Sequence, residues 1–282
     1  MIEINNLAFS YKKKKQLFNH LNMQLTEGRI HGLLGKNGAG KTTLLKLISG
    51  LLFPNDGNIK TLGYVPSKRK PSMLQDIYFL FEEFTLSDFS IQKFKEVYAG
   101  FYPNFNENQF AEYLSEFEIH DNEKLNSLSY GQKKKVLIAF GIATNTRLLI
   151  MDEPTNGLDI PSKSQFRKIM AGAVDENKCV IISTHQVRDL DNLIDSITIL
   201  DQQDIILSEP IEKITEKLCF KVLSHNEIED NVLFSENNLR GNWAVVENYK
   251  NEDSKLDIEM LFNACFSNKK RIQELFNHNN IS

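Results

Sequence analysis

Only three cysteines occur in the 282 residues, Cys179, Cys219 and Cys265, and the chain has no long apolar run and no surplus of positive charge. The cysteines are widely spaced, form no CxxC pair and are odd in number, which excludes a disulfide framework and predicts buried free thiols in a reducing compartment. The longest apolar runs, such as Val136 to Phe140 and Leu148 to Met151, fall far short of the roughly 20 residues that cross a bilayer, so no membrane span is expected. A formal net charge of −4 gives no support for a general affinity for nucleic acid. At the start, Met1-Ile2-Glu3-Ile4-Asn5 places an acid where a secretory signal would carry positive charge, and the expected location is therefore the cytoplasm. Internal repeats, low-complexity tracts and long coiled-coil heptads are missing as well.

What is present is an ordinary globular composition, 41% hydrophobic and 25% charged, in a chain long enough for one large α/β domain and a small appendage. Ile2 to Ile4, Leu21 to Leu25 and Arg29 to Leu34 read as strands, with Lys12 to Lys15 as a solvated hairpin tip. Thr42 to Ser49 reads as a helix stopped by Gly50. From about Ser67 to Tyr130 the chain turns aromatic-rich, with helices expected at Ile91 to Tyr98 and Asn108 to Phe117 and no strand between them, which predicts a helical insertion. Short apolar runs at Arg147 to Met151, Lys178 to Ser183 and Ser196 to Leu200 alternate with helical segments, the pattern of a doubly wound parallel sheet. After about residue 210 the chain becomes polar, with apolar runs at Phe220 to Leu223 and Trp243 to Val246 and a helical segment at Leu256 to Phe266. The expected division is 1–210 for the main domain, with the insertion near 67–130, and 211–282 for an accessory region.

Gly35-Lys36-Asn37-Gly38-Ala39-Gly40-Lys41-Thr42 has the spacing G-x-x-x-x-G-K-[ST], which wraps backbone N–H groups around phosphate oxygens and aims a helix N-terminus at them. Lys41 is expected to hold the β- and γ-phosphates, Thr42 to ligate Mg2+, and Thr43 to assist at the α-phosphate. Arg147 to Met151 leads into Asp152-Glu153, two acids at the carboxyl end of an apolar strand, where ligands of open α/β sheets bind. Asp152 is expected to hold Mg2+ through its water shell, and Glu153 to polarise an attacking water.

Leu128-Ser129-Tyr130-Gly131-Gln132 opens a helix between these two motifs. Together with Asp152-Glu153-Pro154-Thr155-Asn156-Gly157-Leu158-Asp159, it resembles the signature of ATP-binding subunits of ABC transporters over about residues 1–210. That resemblance implies a phosphate-loop NTPase of the ABC-ATPase fold. Its parts would be a mixed, largely parallel sheet core, an N-terminal antiparallel β part, a helical insertion and a small C-terminal region. It implies ATP hydrolysis with Mg2+ by a dimer closed head to tail around two ATP, formed with itself or with a paralogous subunit. It also implies a separate membrane permease as partner. Residues matching Ser129, Gly131 and Gln132 would contact the nucleotide held by the other subunit, and Asp159 would lie in the loop crossing the interface. His185 would contact the γ-phosphate and orient water with Glu153, and Tyr11 would stack on adenine.

In the family pattern a metal-ligating glutamine follows Gly-Tyr-Val-Pro, and here Ser67 follows Gly63-Tyr64-Val65-Pro66, so Ser67 is expected to reach the metal through a water. The connection from Gly50 to Gly63 is shorter than usual, and Tyr130 stands where the first glycine of a pair is more common. Two alternatives remain open at this point: a soluble clamp-type ATPase without a permease, and a nucleotide sensor with little turnover. Export is preferred over import because the stretch Leu256 to Phe262 resembles tails of drug- and antibiotic-efflux ATPases.

Overall fold

The computed structural model describes residues 1–12, 16–223, 231–238 and 241–277. Of the lysine run expected at a hairpin tip, Lys12 is exposed, and Lys13 to Lys15 lie outside the described residues. The chain opens with β1 (Ile2–Phe9), β2 (Phe18–Leu25) and β3 (Arg29–Gly35), followed by α1 (Lys41–Ile48) and β4 (Asp56–Thr61). Strands β2, β1 and β4 form an antiparallel sheet in that order, the expected N-terminal antiparallel part.

After a short helix α2 (Pro71–Leu74) comes β5 (Ile77–Leu80), within the stretch read from sequence as free of strands. It pairs in parallel with β6 (Leu148–Asp152), so the insertion begins later than expected. With only four residues, set among aromatics, β5 has no period long enough to separate it from helix. The helical part proper contains α3 (Ile91–Tyr98), α4 (Glu107–Glu116) and α5 (Tyr130–Ala143).

After β6 follow α6 (Ile160–Ala173), β7 (Cys179–Thr184), β8 (Ser196–Asp201) and β9 (Asp204–Pro210). The central sheet has the order β5-β6-β7-β3-β8-β9, parallel throughout except for β9. Its inner strands β6 and β7 are buried on both faces, which accounts for their continuous apolar runs. Leu149, Met151, Val180 and Ile182 face a core shared with α5 and α6. Leu148, Ile150 and Ile181 face the other side, where Leu44, Leu45 and Ile48 of α1 meet the antiparallel sheet.

Past β9 run α7 (Ile211–Lys217), β10 (Leu218–Leu223), β11 (Val232–Asn238), β12 (Gly241–Glu247), α8 (Ile258–Ser267) and α9 (Lys269–Asn277). The last three strands make an antiparallel sheet of their own. Leu261, Ala264 and Cys265 of α8 nevertheless belong to the same apolar core as Val180 and Ile182. All three cysteines are free and buried, and burial pushes the Cys179 and Cys265 thiols up to about 12.

His31 of β3 is buried, with Nε2 hydrogen-bonded to the Thr26 carbonyl at 2.8 Å and Nδ1 without a partner among the described residues. Burial holds its pKa below the ordinary 6.5, because a second proton would sit on an unpartnered nitrogen. Below about pH 6.5 the unfolded chain therefore binds a proton that the folded chain resists, and stability falls with acid through that window. His31→Gln keeps a donor for Thr26 and should flatten the acid side of a plot of urea midpoint against pH. An unchanged slope would assign the acid sensitivity to other groups.

Candidate nucleotide site

β3 delivers the chain to the glycine loop, and α1 carries it away. Gly38 and Gly40 have φ of 79° and 105°, in the left-handed region where a Cβ is costly, and at Gly40 a Cβ would also lie 2.9 Å from the Phe18 ring. Gly40 is the N-cap of α1 and has no side chain to satisfy the first amides, so these remain available to an anion. Asn37, Gly38, Ala39, Gly40, Lys41, Thr42 and Thr43 line a cleft of about 720 Å3 together with Asp152, Glu153 and His185.

The cleft is chemically divided. Lys41 Nζ donates to the Gly35 carbonyl at 2.8 Å and lies 3.8 Å from a Glu153 oxygen. Burial pulls the Lys41 pKa below its ordinary value, opposed by the charges of Glu153 and Asp152. Thr42 Oγ1 donates to Asp152 Oδ2 at 2.6 Å, and Ser183 donates to the other Asp152 oxygen. Thr42 and Asp152 thus form an all-oxygen pair, the donor chemistry that suits a hard cation such as Mg2+.

Glu153 is buried and has φ of 48°, an uncommon backbone geometry for a residue with a side chain. Its Oε2 accepts from Thr184 Oγ1 at 2.9 Å. Its Oε1 accepts from the His185 amide at 2.9 Å and pairs with His185 Nδ1 at 2.8 Å. A carboxylate can only accept, so the proton belongs on Nδ1 and Nε2 is left for another partner. The arrangement thus offers a carboxylate base, an imidazole oriented by it and an ammonium beside the loop amides.

Tyr11 lines the same cleft, its ring partly exposed and edge-on to Phe9 and its hydroxyl 2.9 Å from Thr43 Oγ1. Thr43, read as a phosphate contact, has its hydroxyl engaged by Tyr11. Lys36 is turned instead toward α8, its ammonium 4.2 Å from the centre of the Phe266 ring. Arg188, shortly after His185, pairs with Glu259 of the same helix at 2.6 Å.

Ser129 caps α5 with a reciprocal pair of bonds to Gln132, and Asp159 caps α6 by accepting from Ser162 N at 2.9 Å. Hydrogen bonding from Ser162 holds the Asp159 carboxyl below its usual range. Gly131 packs against the turn after β6, where a Cβ would lie 2.9 Å from the Gly157 carbonyl oxygen. None of Ser129, Gly131, Gln132 or Asp159 lines the cleft.

Ser67 is not brought to the cleft either. It sits exposed in a helical turn, Pro66–Lys68, after β4 of the antiparallel sheet, and the expectation of metal contact there is corrected. The strand beside β6 is β5, and the residue that enters the cleft beyond its end is Glu82. The short connection read between Gly50 and Gly63 ended at the wrong landmark for the same reason. Glu82 and Asn156, joined by a 3.1 Å hydrogen bond, and Leu17 line the cleft without having been singled out from sequence.

The family model described as ABC transporter matches residues 18–156. The lantibiotic transport ATP-binding protein SrtF of Streptococcus pyogenes is 31% identical over 215 residues, covering 74% of this chain and 90% of that protein. The chain belongs to the ATP-binding proteins of ABC transporters.

Other relatives of this ATP-binding protein are named for different cargoes. The bacitracin transport ATP-binding protein BcrA of Bacillus licheniformis is 30% identical, covering 77% of this chain and 72% of its own. The methionine import ATP-binding protein MetN of Carboxydothermus hydrogenoformans is 29% identical, covering 83% and 75%. In fold, the ATPase resembles a dimeric ATP-binding cassette solved in a post-hydrolysis state with ADP and Pi, at a TM-score of 0.66 and 23% identity, over 75% of this chain and 99% of that one. Among the described residues no helix is long and apolar enough to cross a membrane.

Proposed function

We propose that this ATPase closes head to tail with a second copy around two ATP and drives a separate permease at the inner face of the cell membrane, in the export direction. The observation that carries the reading is the division of its motifs. Lys41, Thr42, Asp152, Glu153 and His185 line one cleft, whereas Ser129, Gly131, Gln132 and Asp159 do not. The helix start at Ser129 is well suited to meet an anion, with the positive end of the α5 dipole behind it. That anion would be the γ-phosphate held by the other subunit.

In the closed site the Gly38 to Thr43 amides and Lys41 bind and stabilise the phosphoryl oxygens. Thr42 and Asp152 would hold Mg2+, which when bound would supply positive charge to the phosphoryl oxygens. Glu153 accepts a proton from the attacking water, and His185, held by Glu153 through its protonated Nδ1, leaves an unprotonated Nε2 to accept from that water. Tyr11 supplies an aromatic wall for the adenine. The sensor alternative rested on Ser67, which lies on the surface away from the cleft, so turnover is the better reading.

A permease needs a docking surface on the cassette. α3 and the turn after it expose Val97, Tyr98 and Phe101, the last at 66%. Apolar side chains grouped on one element mark a protein contact more readily than scattered ones. Phe101→Asp should leave the ATPase rate of the isolated protein within about twofold while reducing co-purification with an integral membrane protein by roughly tenfold, the scale of a central interface contact. If the unaltered protein brings down no membrane protein from detergent-solubilised membranes, the transporter reading fails. ATP-driven uptake of a labelled peptide antibiotic into inverted vesicles carrying the complex would support export, and ATP-driven release from preloaded ones would support import.

A further inference from the structure

Lys134 is one of three consecutive lysines at the start of α5, yet its side chain is fully buried. Its ammonium donates to the Glu153 carbonyl at 3.0 Å and to the Asn156 carbonyl at 2.9 Å. It also lies 5.2 Å from the centre of the Tyr130 ring. The two carbonyls begin and end the turn Glu153-Pro154-Thr155-Asn156, itself closed by a 3.2 Å bond from Asn156 N to Glu153 O. Burial drives the Lys134 pKa down, opposed by the charges of Glu82, Glu153 and Asp152.

Tyr130 completes the arrangement. Its ring stacks on Phe84 with centroids 5.0 Å apart, and its hydroxyl donates to the Glu82 carbonyl. Glu82 in turn accepts from Asn156 at 3.1 Å. The exit of β5, the start of α5 and the turn after β6 are thereby tied around one cation. Among the described residues no carboxylate pairs directly with that cation, so its three hydrogens are matched to two carbonyls and a ring face.

We propose that Lys134, supported by Tyr130, is a positioning residue for ATP hydrolysis. It holds Glu153 in its left-handed backbone geometry and fixes the direction of the base. A non-glycine residue at positive φ persists only where its surroundings over-determine it, and here the Glu153 carbonyl is held by Lys134 and its amide by Ser183 at 3.0 Å. The same helix carries Ser129 at its cap. In the proposed dimer, Lys134 therefore links the peptide facing the partner's nucleotide to this subunit's own base.

The inference rests on Glu153 as the base. Lys134→Met keeps the length of the side chain and removes the donors. It should lower kcat by roughly ten- to a hundredfold, the scale of a misplaced catalytic group, with the KM for ATP within about twofold. Lys134→Arg, which keeps charge and donors, should recover part of the loss, whereas a purely structural defect would move Tm and leave the kcat to KM split unchanged. If Lys134→Met does not fold, Tyr130→Gly is measured instead, with a smaller fall in kcat expected and recovery in Tyr130→Phe. A folded Lys134→Met with kcat near that of the unaltered enzyme, or an unchanged kcat in Tyr130→Gly, overturns the role. Glu153→Gln, measured alongside, separates the failures: if it remains active the base is wrong, and if it is inactive while Lys134→Met is active only the brace is wrong.

Discussion

Glu153→Gln is expected to lower ATP turnover at least about a hundredfold while leaving nucleotide affinity intact, since a positioned general base contributes roughly 10²- to 10⁴-fold. The substitution preserves the shape of a side chain whose two oxygens are both engaged. One accepts from Thr184 Oγ1 at 2.9 Å, and the other faces the amide and Nδ1 of His185. A glutamine can keep its carbonyl oxygen toward the two His185 donors. Its amide nitrogen would then face the Thr184 hydroxyl, which can serve as an acceptor as well. Packing is therefore conserved and the proton acceptor is lost. Affinity should not fall, because the negative charge now 3.8 Å from Lys41 competes with phosphate for that ammonium, and removing it ends the competition. Steady-state phosphate release and binding of a fluorescent ATP analogue measure the two quantities independently. Turnover within tenfold of the unaltered protein would remove Glu153 from the role of base.

The parts of this site that were legible in the sequence are those set by backbone requirements. The glycine loop could be placed because a phosphate cradle needs glycines at fixed intervals, and the Gly38 and Gly40 geometries show why. β6 could be placed because two adjacent acids closing an apolar run are costly to bury unless the strand ends at a ligand. Glu82 was hidden because β5 has four residues, while Gly63 to Pro66 imitates the strand that should precede the metal ligand. In the fold that imitation is a turn at the end of an antiparallel strand, with Gly63 at φ of 79°. Lys134 was hidden for another reason. In a run of three lysines, only the rotation of α5 against the turn after β6 determines which one is buried. Gly131 was legible as a place of close approach, but the nearest atom within this subunit is the Gly157 carbonyl oxygen.

The proposed division of the site between two copies leads to a complementation experiment that reads a recovery of activity rather than a loss. Ser129→Arg places a long cation at the cap of α5, which in the proposed dimer would face the partner's phosphate loop. It should leave ATP binding to the monomer intact and abolish turnover at the site that its α5 faces. Glu153→Gln abolishes turnover by a different route, with its own Ser129 unaltered. In a mixed dimer of the two, one site combines both defects, whereas the other takes its loop and Glu153 from the first variant and its Ser129 from the second. Two inactive proteins should therefore regain activity when mixed. Random assortment at equal amounts makes half of the dimers mixed, each with one intact site of two, so the ceiling is about a quarter of the unaltered rate. Sites complete within one subunit would leave the mixture as inactive as its components, because every subunit in it carries a lethal change. No recovery over a range of protein concentrations, with both variants folded and binding ATP, would sink the shared-site homodimer and leave a paralogous subunit as the partner to seek.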